Sequence, residues 1–233
     1  MIALFLLAAA PAVAAADSKP APRTSDQAAR TMVAVFAHCA VEREPDLARR
    51  TILEDWDARR IVKDRRLLAS GCIGRGMQLW FQANTLKAAL AGLLIDRDLK
   101  PADAATVAQS PALAYTMPDP LRTVDDKGRQ LSASRIERQQ KAIAFKASGV
   151  AIAQFGECVA RANPAAVPPL ARTVFGSEAE SAALKAFWPN LPPCLPAGVK
   201  MEVDRPTLRN AITLAYYRLA MAVRQPQTAQ VRR

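Results

Sequence analysis

The chain contains itself twice, and that feature limits what it can fold into. Phe36-Ala-His-Cys39 returns 119 residues later as Phe155-Gly-Glu-Cys158, and each copy is followed six residues on by a proline, Pro45 or Pro164. A second block returns at an offset of 122. It pairs Cys72-Ile-Gly-Arg-Gly76 with Cys194-Leu-Pro-Ala-Gly198, and Met77-Gln-Leu-Trp-Phe81 with Val199-Lys-Met-Glu-Val203. It then pairs Thr85-Leu86-Lys87 with Thr207-Leu208-Arg209, and Ala89-Leu90 with Ala211-Ile212. A unit that recurs in the same order is expected to fold twice.

Each unit holds two cysteines, 33 residues apart in the first and 36 in the second. Four cysteines permit three pairings. The duplication selects Cys39–Cys72 and Cys158–Cys194, because each unit then carries its own closed loop. A loop of about 35 residues stabilises by roughly 3.5–4 kcal/mol in the chain-entropy model. A metal site would need Cys or His at short spacing, and a thioredoxin-like site would need Cys-x-x-Cys; the sequence has neither.

Periodicity makes the units helical. Met32, Val35, Phe36 and Cys39 fall at i, i+3, i+4 and i+7, with Asp26 as a start signal and Pro45 as a stop. The matching helix of the second copy is read from Ser132 or Ser134 to about Ala162, with Gly149 and Gly156 as weak points of roughly 1 kcal/mol each. The last helix of each copy carries one stripe in one register: Leu86, Ala89, Leu90, Leu93 and Leu94, then Leu208, Ala211, Ile212, Ala215, Tyr216 and Leu219. Asn84 and Asp204 are their expected caps. Residues 77–81 and 199–203 are expected to form one short strand per repeat. Middle helices are expected at 46–55, 57–69, 165–174 and 177–187, the last opened by a Ser177/Glu180 capping box. The expected fold class is therefore mainly α: two tandem disulfide-closed helical repeats.

The ends set the compartment. Met1 to Ala10 is apolar, and small-x-small triplets at Ala12-Val13-Ala14 and Ala14-Ala15-Ala16 follow, the pattern of a cleavable signal peptide. The expected organisation is a signal peptide at 1–16, a flexible segment at 17–25, repeat 1 at 26–99, a Pro-containing linker at 100–132, repeat 2 at 133–224 and a flexible tail at 225–233. The linker carries Pro101, Pro111, Pro118, Pro120 and the turn signal Asp125-Asp126-Lys127-Gly128. Paired cysteines suit the same compartment, periplasmic or secreted. No later stretch reads as a transmembrane segment.

The layout resembles exported bacterial proteins of uncharacterised role that repeat a Phe-x-x-Cys … Cys-Leu-Pro-x-Gly … Leu-Arg-x-Ala unit. The second copy carries all three pieces; the first has Ile73-Gly74 for Leu-Pro and Lys87 for Arg. The resemblance implies the helical unit and no activity.

No catalytic constellation is expected. His38, the sole histidine, adjoins Cys39, but helix neighbours point about 100° apart, and the matched residue in the second copy is Glu157. The acidic groups Glu42, Glu44, Asp46 and Glu54, Asp55, Asp57 read as caps and solvated faces. Trp56, Trp80, Phe187 and Trp188 read as core or repeat-interface residues. Formal net charge is +11, spread along the chain, with one dense cluster: Arg59, Arg60, Lys63, Arg65 and Arg66. That cluster is the expected contact for an anionic surface. The expected function is a non-enzymatic module that needs no cofactor and binds a protein or an anionic envelope component. Nucleic acid is disfavoured by export and by the lack of interleaved aromatics. Two readings compete with it: a hydrolase-like enzyme assembled from distant residues, and a purely structural envelope protein.

Overall fold

Alanine- and leucine-rich runs bounded by proline favour helix over sheet, and in a computed structural model the chain is mainly helical. The structure describes residues 24–55, 57–68, 71–72, 82–100, 103–195 and 201–224. In chain order the helices are α1 (Thr24–Arg43), α2 (Pro45–Leu53), α3 (Ala58–Lys63), α4 (Arg65–Leu68), α5 (Ala83–Asp98) and α6 (Asp103–Val107). They continue with α7 (Ala133–Ala162), α8 (Val167–Ala171), α9 (Glu178–Lys185), α10 (Leu191–Cys194) and α11 (Arg205–Arg224).

The stripes of α5 and α11 face each other at the centre, with α1 packed on the far side of α5 and α7 on the far side of α11. Leu86, Leu90 and Leu94 of α5 and Ile212, Tyr216 and Leu219 of α11 are fully buried in one continuous core. Burying side chains of this size contributes about 1.5–3 kcal/mol each. The disulfides tie each long helix to its own half: Cys39–Cys72 and Cys158–Cys194, both with Cα atoms 5.6 Å apart.

Several expectations require correction. The buried face of α1 is Val33, Phe36, Ala37, Ala40 and Val41, while Met32 and Val35 are exposed. Apolar residues occur on more than one side of this helix, so periodicity alone picks the wrong neighbours of Phe36. Asp204 caps α11, accepting from the Thr207 N–H at 2.9 Å. Asn84 lies inside α5, whose N-cap is Gln82. Residues 77–81 lie outside the described residues, as do 199–200, and 201–203 form no strand. Among the described residues the sole β pairing is an isolated bridge between Val124 and Gln130. The expected signal segment, Trp56, Trp80 and the tail at 225–233 also lie outside the described residues.

The 100–132 stretch is held firmly where it is described. Arg161 of α7 donates to the carbonyls of Ser110 and Pro111 at 2.6 and 2.7 Å. The Ser110 hydroxyl donates to the Leu219 carbonyl of α11 at 3.1 Å. Tyr115 donates to Glu157 at 2.8 Å, and the Arg122 N–H donates to Gln139 Oε1 at 3.3 Å. The segment from Leu113 to Arg122 therefore runs as a strap back along α7, from its buried end toward its start.

Candidate interaction surface

Ionisable side chains bear most of the polar bonding, and their partners show what each does. His38 is exposed, 3.5 Å from Glu42 one turn on, and its neighbour Cys39 is in a disulfide. Asp46 meets Arg49, Asp57 caps α3 through the Arg60 N–H, and Glu54 meets the Arg60 guanidinium. These carboxylates hold helix ends and ion pairs.

The deepest charges are two cations. Arg209 of α11 is buried; it donates to Glu180 at 2.7 Å and to the Thr173 carbonyl at 2.8 Å, and stacks 3.8 Å over the Phe175 ring. Burial pulls its affinity for the proton below the usual guanidinium range, against the opposing pull of Glu180. Glu180 also accepts from the Gly176 N–H while Ser177 caps the Glu180 N–H. The expected capping box thus forms with its return bond shifted one residue upstream, which leaves Glu180 free to reach Arg209. At the matched position in α5, buried Lys87 donates to Asp55 at 2.6 Å. Asp55 reaches it from a left-handed backbone, φ 49°.

The basic cluster does not lie along one helix. It is divided at Asp64 between α3 and α4. Arg60 is bonded to Glu54, and Arg66 donates to Asp64 at 2.8 Å. Arg59 and Lys63 are exposed, and the Arg65 side chain lies outside the described set. Acidic side chains are thus interleaved with the cluster.

The surface that sequence reading passed over is the first half of α7. From Ala133 to Gly149 no residue is buried, whereas from Val150 onward the helix sinks between α11 and the strap. Seventeen residues at the α-helical rise make an arm of about 25 Å. The strap covers one side of it, where Ile136, Gln139, Ile143 and Ala147 are half-buried. On the other side Phe145 is 78 % exposed, the largest value among the exposed large apolar residues. Trp188, expected in the core beside Phe187, is exposed as well; Phe187 alone is buried.

Around Phe145 the helix repeat places Arg138, Lys141, Gly149 and Ile152 within about 40° and Ala142, Arg135 and Lys146 within about 100°. Glu137 is the acid on that side, paired with Lys141 at 2.7 Å. By length and composition α7 is also long and apolar enough to cross a bilayer. The expectation that no later stretch is that apolar is corrected on this point. Its second half is nevertheless built into the core, by Phe155, Val159 and the Cys158–Cys194 bond. Sequence reading found this helix but treated its whole length alike. The available signal was a helical wheel of 133–150, which separates Phe145 and its basic neighbours from the Ile136/Ile143 side.

One open groove of about 450 Å³ lies beside the arm's root, lined by Gln154, Glu157, Cys158, Arg161 and Ala162. Its charged groups already hold the strap: Arg161 donates to Glu157 at 2.7 Å, and Glu157 accepts from Leu113 and Tyr115.

Comparison of the chain with family models, with curated proteins and with solved structures finds no match.

Proposed function

We propose that the chain is a non-enzymatic helical module acting in the periplasm or after secretion, and that the projecting half of α7 is the element that meets its partner, a protein or an anionic envelope component. The observation that carries this is the position of Phe145, exposed on an arm that the core does not cover. An apolar ring held in water on a helix that continues into the core costs solvation free energy, about 25 cal/mol per Å² of apolar surface, which a partner recovers. Two disulfides fit an oxidising compartment. The tandem-repeat reading is supported by Lys87 and Arg209, both buried and both paired with an acid at matched positions.

The test is affinity capture from the envelope fraction with the parent protein and with Phe145→Ser as baits. The proposal expects captured material that the variant loses while melting like the parent. Equal capture by both would overturn it.

A further inference from the structure

We infer that the arm of α7 rests on an anionic lipid surface with Phe145 turned toward the acyl boundary. This deepens the reading of the arm as the contact element and rests on it. Within about 100° of Phe145 around the helix lie Arg135, Arg138, Lys141 and Lys146 against Glu137, so the complement of this face is an acidic surface. A second copy of the chain fits poorly: a two-fold contact through this face would set those cations against their own images.

Phe145 is flanked by the small residues Ala142 and Gly149, and a Cβ built on Gly149 meets nothing within 4 Å. Among the described residues this face therefore offers one exposed aromatic ring between small neighbours, and the open groove at Gln154, Glu157 and Arg161 lies on the other side of α7. A protein interface gains its affinity from anchors seated in fitted pockets. A headgroup layer needs no such fit: it takes an aromatic ring and basic side chains whose stems lie along the apolar surface.

The Cys158–Cys194 bond and the Arg161 contacts anchor the root of α7 in the core. The arm therefore lies along the surface and does not cross it.

The experiment is sedimentation of the purified protein with vesicles of phosphatidylglycerol mixed into phosphatidylcholine, against pure phosphatidylcholine, across a salt series. Four proteins are compared: the parent, Phe145→Ser, Arg138→Gln/Lys146→Gln, and Arg59→Gln/Arg60→Gln/Lys63→Gln. Each basic side chain near an anionic membrane is worth about fivefold in partitioning, so the Arg138/Lys146 double variant should bind roughly 25-fold more weakly. Phe145→Ser should also weaken binding, the α3 variant should bind nearly like the parent, and rising salt should release the protein. Equal binding to both vesicle types would overturn the inference, as would arm variants that bind like the parent or a loss confined to the α3 variant. Absence of vesicle binding, with envelope capture still lost in Phe145→Ser, would overturn the lipid surface and leave the arm's contact role standing.

Discussion

Gly156 of α7 meets Ala211 of α11 backbone to backbone: a Cβ on Gly156 would stand 2.6 Å from the Ala211 carbonyl carbon and 2.7 Å from its Cβ. The glycine is what lets the two helices cross this closely. Gly156→Ala should therefore destabilise by about 1–3 kcal/mol, the cost of overpacking, despite alanine's better helix propensity. Gly149, one helical stretch earlier, has open space where a Cβ would go. Gly149→Ala should stabilise by about 0.5–1 kcal/mol. Urea unfolding of both variants checks the pair; shifts of the same sign would contradict the crossing.

The closing helices are joined by polar bonds as well. Asp98 of α5 accepts from Tyr217 of α11 at 2.7 Å and from both Arg49 Nε and Nη2, at 2.8 and 2.6 Å. Burial opposes ionisation of Asp98, whose side chain is 8 % exposed, but the bonds from Arg49 and Tyr217 outweigh it and hold the carboxyl below its ordinary range. A carboxylate depressed in the folded state adds stability that is complete above about pH 4 and is lost as pH falls through the folded value. Asp98→Asn should cost about 1–3 kcal/mol at pH 7, and the gap from the parent should narrow in acid. Denaturant titrations at neutral and acid pH measure it; a gap that does not change with pH would contradict the assignment.

All three tyrosines are shifted upward. Burial is the leading cause in each, followed by Glu157 for Tyr115, the Asp103 charge for Tyr216 and Asp98 for Tyr217. A raised folded value means the neutral phenol contributes stability that is present below about pH 10 and lost as pH rises beyond it. An ultraviolet absorbance titration should show phenolate midpoints above the ordinary tyrosine value while the helical circular dichroism persists. A tyrosine midpoint at or below about 10 in an intact helical protein would contradict this.

Leu90 and Ile212 are fully buried at matched positions in α5 and α11. Changing either to Ala should cost about 2–5 kcal/mol. Arg209→Leu leaves Glu180 buried without its cation and should cost about 3–5 kcal/mol. Thermal melts of the three variants measure this, and parent-like melting of any of them would contradict its place in the core.

The parts of the fold legible in sequence were those decided locally. Leu86, Leu90 and Leu94 repeat at helical spacing, so their burial could be read directly; the burial of Ala88, Ala91 and Ile95 on other sides of α5 follows only from its place between α1 and α11. The pairing of Cys39 with Cys72 and of Cys158 with Cys194 was legible in the order and spacing of the cysteines. Val33 and Ala37 were missed because α1 is apolar on several sides, and only packing against α5 chooses among them. Arg161 was missed because its carbonyl acceptors lie about fifty residues away in a stretch that reads as a loose linker. Lys87 and Arg209 were visible as a matched pair, but nothing local shows that a cation at that position is buried. Phe145 was missed because a helix's periodicity does not say where along its length the core ends.

The most direct test of the arm's role is site-specific photo-crosslinking in living cells, with a benzophenone side chain at position 145 and, as control, at Val174, an apolar site of similar exposure at 74 %. A contact element at the arm predicts discrete adducts, lipid or protein, from position 145 and none of the same identity from position 174. Adducts that are equal at the two positions, or absent from position 145, would contradict the account.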